Sequence, residues 1–208
     1  MGKFVIVSFF TKDNGYENDG WKLMDSLKAL KVDYYVEAIN SLGDWMRNAH
    51  YTHEFIRAML EKFLDRPIVW TDADSVLRRY PDLFDTIDCD FAAHVHDWIR
   101  WRKMGELLCG TMYFANNDLT RGFLDDCIRI DKEFPNRRGA INLSEALKAW
   151  KGKLRFQELP PQYCKIYDLM RDVPDPVFEH FQASRRFRQR PVARVPVRLN
   201  AELPQARR

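Results

Sequence analysis

Cysteine and glycine are both scarce in this chain. Its 208 residues hold four cysteines, at Cys89, Cys109, Cys127 and Cys164, with no Cys-x-x-Cys pair among them. That excludes a disulfide-stapled small scaffold and argues against a zinc ribbon or a thioredoxin-like redox site. Four isolated thiols suit a reducing compartment. The nine glycines include no Gly-x-Gly, so the dinucleotide fingerprint is missing, and no Gly-Lys-Ser/Thr of a P-loop occurs. His53-Glu54 has no second histidine at the zincin spacing. The longest nearly apolar run, Phe4 to Phe10, falls far short of the ~20 residues that a membrane helix needs. Lys12 and Asp13 follow it at once, without a small-residue cleavage site. Met1-Gly2 lacks the Ser or Thr of a myristoylation signal, because Ile6 stands there. These absences predict a soluble, cytoplasmic protein.

What is present suffices for a sizeable core. Apolar residues make up 46% of the chain, with 14 Phe, 8 Tyr and 6 Trp. At roughly 150 residues per domain, the length favours one domain. The formal net charge of +3 is unevenly spread. Eight arginines and a single acid, Glu202, fall between Phe181 and Arg208, whereas the rest of the chain has more acids than bases. From about Gln189 the sequence is rich in Arg and Pro and poor in large apolar residues. The expected organisation is therefore one domain over residues 1–188 and a basic, flexible tail over 189–208. Such a tail offers phosphate contacts to a polyanion, such as DNA or an anionic membrane. It has no aromatic residue after Phe187 on which bases would stack.

Along the body, strand and helix patterns alternate. Phe4 to Phe10 reads as a buried strand, and Trp21, Leu23, Met24, Leu27 and Leu30 recur at helical spacing. Val32 to Val36 reads as a second strand. Phe55, Ile56, Met59, Leu60 and Phe63 form one helix face, and Pro67 to Thr71 a third strand. This is the pattern of an α/β fold with a mostly parallel central sheet flanked by helices. Further on, Phe91 to Val95 and Thr111 to Ala115 read as strands, Leu119 to Ile130 and Leu143 to Trp150 as helices, and Leu154 to Phe156 as a late strand.

The sharpest chemical signal is Asp72-Ala73-Asp74, directly after the third strand. Ligands of α/β sheets bind beyond the carboxyl ends of strands. Paired carboxylates there suit Mg²⁺ or Mn²⁺, which commonly bridge a carboxylate and a substrate's phosphates. The same tripeptide also serves as an acidic turn that caps the following segment.

Taken with other segments, this motif resembles the small GT-A type glycosyltransferases, which use nucleotide-diphosphate sugars. The resemblance rests on Val5-Ile6-Val7-Ser8-Phe9-Phe10-Thr11, Trp70-Thr71-Asp72-Ala73-Asp74, Gly110-Thr111-Met112-Tyr113-Phe114 and Glu179-His180-Phe181-Gln182-Ala183-Ser184-Arg185-Arg186. It implies a single GT-A-like, Rossmann-like domain and transfer of a sugar, from a UDP-sugar, to an acceptor hydroxyl. It implies that Ser8, Phe10, Thr11 and Tyr16 hold the nucleoside. Asp72 would bind the ribose or the cation, Asp74 and His180 the cation (Mn²⁺ or Mg²⁺), and Ser184 with Arg185 the diphosphate. The acceptor, whether saccharide, protein or modified nucleic acid, stays open. A lysine that similar sequences carry on the helix after Trp45 is missing here, which leaves His53, Arg57 or Arg185 to meet the donor's phosphates.

Several other assignments also stay open. An inverting enzyme needs a base, for which Asp97, Asp131 and Glu145 are unranked candidates. Asp90 or Asp97 would orient the donor sugar. His94 and His96 share a strand face and are structural residues, acceptor contacts or metal ligands. Two rival functions fit some of the same residues. One is a haloacid-dehalogenase-like phosphatase with Asp72 as nucleophile and Asp74 as acid/base, for which Asp125-Asp126 is the only adjacent acidic pair that could serve as its later motif. The other is a non-catalytic module that binds nucleotides or nucleic acid.

Overall fold

A computed structural model describes residues 2–12, 15–96 and 106–187. The element order is β1 (Val5–Thr11), α1 (Glu17–Ala29), β2 (Tyr34–Ile39), α2 (Trp45–Lys62), β3 (Ile68–Thr71), β4 (Ser75–Leu77), β5 (Phe91–His96), β6 (Glu106–Phe114), α3 (Asp118–Glu133), α4 (Gly139–Ala149), β7 (Phe156–Glu158), β8 (Lys165–Ile166), β9 (Phe178–His180) and α5 (Ser184–Phe187). Six strands form the main sheet in the order β2-β1-β3-β6-β5-β7, and β4-β9-β8 form a second, smaller sheet. In the main sheet β1 pairs in parallel with β2 and β3, and β5 in parallel with β7, while β6 runs antiparallel to β3 and β5. The fold is thus α/β with a mostly parallel central sheet flanked by helices.

Both faces of β1 are covered, which is why its sequence reads as an unbroken apolar run. Val5, Val7 and Phe9 join Phe55, Ile56, Met59 and Leu60 of α2, Phe123 and Leu124 of α3, and Leu143 of α4 in one core cluster. Phe4 and Ile6 belong to the opposite cluster, with Leu23 and Leu27 of α1, Leu77 of β4 and Phe178 of β9. On that second side α1 comes close to the sheet. A Cβ added to Gly20 would lie 2.3 Å from Cδ1 of Phe10, so only glycine fits where the helix crosses the ring.

Side-chain caps set two helix starts. Asp44 accepts the backbone N–H of Arg47 at 2.8 Å before α2, and Asn117 accepts that of Thr120 at 2.9 Å before α3. The register of β5 on β6 shifts by a bulge: Ala93 faces Met112 but His94 faces Leu108, leaving Cys109, Gly110 and Thr111 outside that ladder.

Asp90, at the start of β5, is structural rather than a donor contact. It is only 1% exposed. Its carboxylate accepts the backbone N–H of Arg155 (2.9 Å), the Arg155 guanidinium (3.1 and 3.3 Å) and the Asn117 amide (2.9 Å). It therefore ties β5 to the chain entering β7 and to the cap of α3. Burial works to raise its carboxyl, but Arg155 and Asn117 outweigh that and hold it below the usual carboxylate range. Its stabilisation is therefore complete above the unfolded Asp value of about 3.9 and is lost as pH falls through the lower folded value. Asp90→Ala should lose about 1–3 kcal/mol at pH 7 by leaving buried donors unmatched. Denaturant unfolding should show the gap to the wild type narrowing below about pH 4.

Candidate functional site

The carboxyl ends of β1 and β3 open into a cavity of about 1530 Å³. This exceeds the ~300–1,000 Å³ typical of a site for one small ligand. Its floor is Phe9, Phe10 and Thr11 from β1, and Trp70, Asp72 and Asp74 from the end of β3. One wall is the first half of α2, where Trp45, Asn48, Ala49, Thr52 and His53 fall at helical spacing along one face. Leu107 to Gly110 of β6, Gln182 and Ser184 also line the cavity.

Short-range structure explains how the acidic turn meets a residue more than a hundred positions away. The backbone N–H of Asp72 donates to Gly110 O at 2.8 Å, and that of Ser75 to Asp72 O at 3.0 Å, which closes the turn. The chain then enters β4, which pairs antiparallel with β9 so that Ser75 faces His180. The backbone N–H of Phe181 donates to Asp74 O at 3.0 Å, and that of Ala183 to Asp74 Oδ2. One ligand atom each from Asp72, Asp74 and His180 thereby lie within 4.8 Å of one another. Atoms bound ~2.0–2.6 Å from a common ion have such separations.

The details of His180 fit a cation. The residue is 1% exposed, and Thr111 Oγ1 lies 2.9 Å from its Nε2, which makes the hydroxyl the natural acceptor of an Nε2 proton. That leaves Nδ1 as a lone pair, and Nδ1 is buried with no hydrogen-bond partner. The ring lies against the Cα of Gly110, where an added Cβ would be 2.9 Å from Cε1. Burial lowers its pKa to about 4, so the imidazole is neutral near pH 7. Asp72, whose one side-chain donor among the described residues is the Trp70 indole at 3.2 Å, is pushed well above the carboxylate range by burial and then by Asp74. Burial raises Asp74 too, although the Ala183 N–H opposes it. Burial and then Asp74 push the Tyr16 phenol up to about 12, while the Trp45 indole donates to it.

The residues expected from the sequence fall into different places. Phe10, Thr11, Tyr16, Asp72, Asp74, His180 and Ser184 all border the cavity. Ser8 does not: it is enclosed within β1, its hydroxyl without a hydrogen-bond partner among the described residues. Arg185 also stands apart from the lining and is ion-paired with Asp168. Of the candidate bases, Glu145 is exposed on α4 and paired with Lys148 at 2.6 Å, away from the cavity. Asp131 is buried behind His53, and Asp97 lies outside the described residues, as does the tail from 188 onward.

Arg57 pairs with Glu61 and Asp125 on the outer side of α2, so it does not replace the missing lysine, whereas His53 and Lys12 do border the cavity. Nδ1 of His94 is 2.8 Å from Leu159 O, a structural bond, and the side chain of His96 lies outside the described residues. The later acidic pair that a phosphatase would need is not supplied by Asp125-Asp126, which sit on α3 bonded to Arg57 and to the Trp150 indole. Sequence reasoning missed Trp45, Asn48, Thr52, Gln182 and the start of α4 at Arg138 to Ala140, all of which line the cavity. The spacing of Trp45, Asn48, Thr52 and His53 was the available signal. Gln182 has a positive φ of 55°, a strained conformation of the kind found at ligand sites.

No family model matches the chain, and no curated protein matches it. Solved structures do. A glycosyltransferase involved in the glycosylation of the major capsid of PBCV-1 superposes with a TM-score of 0.65 at 16% identity, over 86% of this chain and 93% of that one. The apo form of the glycosyltransferase GlyE of Streptococcus pneumoniae TIGR4 superposes with a TM-score of 0.60 at 12% identity, over 87% of this chain. The match spans 55% of the GlyE chain. The fold is therefore one that known glycosyltransferases have. Among the described residues no helix is long and apolar enough to cross a membrane.

The raised pKa of Asp72 has a thermodynamic consequence. Its folded value lies above its unfolded one, so its contribution is fully favourable only below about pH 4 and is lost as pH rises through the folded value. Asp72→Asn, measured with a chelator present, should therefore melt higher than the wild type at pH 7. The difference should shrink as pH falls and be lost only well below the unfolded Asp value of about 3.9, where Asp72 is protonated in both states.

Proposed function

We propose that the protein is a glycosyltransferase that moves a sugar from a nucleotide-diphosphate donor, a UDP-sugar, to an acceptor hydroxyl, with Mn²⁺ or Mg²⁺ as cofactor. The observation that carries this reading is the Asp72–Asp74–His180 cluster with its orphaned Nδ1, set at the carboxyl ends of β1 and β3. Two half-buried carboxylates and a neutral imidazole leave a net negative site that a divalent cation would balance, and a nitrogen among oxygens suits Mn²⁺ better than Mg²⁺. Asp72, Asp74 and His180 would hold it. Bound there, such a cation supplies charge neutralisation for a departing diphosphate.

The chain's own residues would do the rest. Phe10, Thr11 and Tyr16 offer the nucleoside an aromatic face and hydroxyls at the end of β1. Ser184, which lines the cavity, would meet the diphosphate, and Arg185 would have to exchange Asp168 for the phosphates. The cavity has room for donor and acceptor side by side. The likeness of the fold to solved glycosyltransferases supports the same reading.

A thermal-shift panel of nucleotides and nucleotide sugars, with and without Mn²⁺, tests this directly. UDP or a UDP-sugar should stabilise the chain only when Mn²⁺ is present, by roughly 2.7 kcal/mol at 100 times the dissociation constant. Asp74→Ala should abolish the shift. Gly110→Ala, whose new methyl must displace the His180 ring, should weaken Mn²⁺ binding in calorimetry while leaving the circular dichroism spectrum unchanged. A panel flat for every nucleotide would refute the assignment.

A further inference from the structure

His53 is the most unusual group in the cavity wall outside the acidic cluster. It is 3% exposed yet borders the cavity, and its Nδ1 lies 2.6 Å from Oδ2 of Asp131 on α3. Asp131 is itself 5% exposed. Its second oxygen accepts the Asn142 amide of α4 at 2.8 Å, with His50 Nε2 3.8 Å away. Three helices thus fix one carboxylate against one imidazole. With the proton of the pair on Nδ1, the lone pair of His53 is on Nε2, which has no hydrogen-bond partner among the described residues. His50, one turn earlier, shows the contrast: its Nε2 is spent on the Arg137 carbonyl at 2.7 Å.

An imidazole bonded to a carboxylate at one nitrogen and open to a ligand cavity at the other is built to accept a proton. We propose that His53 is the catalytic base of the transfer, with Asp131 as its positioning residue. The assignment rests on the reading of the cavity as a sugar-transfer site. In the step, the acceptor oxygen bonds to the anomeric carbon as its O–H proton passes to His53 Nε2. The bond from that carbon to the diphosphate oxygen breaks, and its electron pair leaves on the nucleoside diphosphate. Asp131 stabilises the imidazolium that results. Attack by a base-activated hydroxyl opposite the leaving group inverts the anomeric configuration. Asp131 therefore reaches the reaction only through His53.

Other ionisable groups on the elements packed around the pair include His50 on α2, Cys127 and Asp126 on α3, Cys109 on β6 and Arg138 at the head of α4. A pH profile is consequently informative only when the variants are compared with the wild type.

The test uses the full chain, Mn²⁺, the UDP-sugar with the largest thermal shift, and methanol as surrogate acceptor, because methyl glycosides do not mutarotate. Proton NMR should show the methyl glycoside with anomeric configuration opposite to that of the donor. His53→Gln should lower kcat by about 10²–10⁴-fold while the donor KM and thermal shift stay unchanged. Its profile should lose the acidic limb on which the wild type declines. Asp131→Asn should lower kcat while the donor KM and thermal shift stay unchanged, since the imidazole loses the carboxylate that orients it. A product of retained configuration overturns the base assignment while leaving glycosyl transfer standing. So does a His53→Gln variant that loses the donor thermal shift but keeps the acidic limb. Absence of any transfer or nucleotide stabilisation in the wild type refutes the sugar-transfer reading itself, and the base assignment with it.

Discussion

The pairing of Ser75 with His180 is the contact on which the site depends. β4 and β9 are three residues each, too short to be stable alone. They persist because Leu77 and Phe178 on the same two strands are sealed into the core cluster beneath α1. That hydrophobic anchorage fixes the register, and the register sets an imidazole above two carboxylates. Gly110 then admits the ring, and Thr111 holds its Nε2. The β6 bulge contributes both of these residues, so an irregularity that weakens the sheet locally also shapes the site.

The arrangement opposes folding electrostatically. Asp72 and Asp74 repel each other in a region that also disfavours their charge, while the His180 imidazole beside them is held neutral. Among the described residues, no cationic side chain is placed to cancel them fully. Arg186, whose charge acts to lower the Asp74 pKa, is ion-paired with Asp19, and Arg185 with Asp168. Strained electrostatics of this kind, surrounded by a well-packed core, are characteristic of binding sites rather than of structural turns.

Much of the fold could be read from the sequence where burial imposes a pattern. β1, β3 and β5 read as apolar runs because their faces are covered, and α1 and α3 show a helical period because one face meets the core. Misjudged boundaries have a common cause. α2 begins at Trp45, well before the apolar period that starts at Phe55, because its first half faces the cavity with Asn48, Thr52 and His53 rather than the core. The same holds for α4, whose first turn at Gly139 and Ala140 lines the cavity. β4, β8 and β9, at two or three residues each, are too short for any periodicity. At the site, Asp72 and Asp74 were legible because they follow a strand. The enclosure of Ser8, the outward pairing of Arg57 and the burial of Asp131 behind His53 are tertiary facts that no local pattern carries.

Asp72 and Asp74 are not equivalent, and the difference bears on how the site is held together. Asp72 is fixed by its backbone to Gly110 and by its side chain to Trp70, both within the main sheet. Asp74 instead holds the segment that follows β9, accepting from Phe181 with its carbonyl and from Ala183 with its carboxylate. The same segment carries Gln182 and Ser184 into the cavity wall. A cation drawing on the Asp74 carboxylate would therefore share it with the Ala183 N–H. Charge at the cluster and the position of the closing segment are coupled through one side chain. Asp72 reports on the charge of the cluster alone, whereas Asp74 reports on charge and closure together.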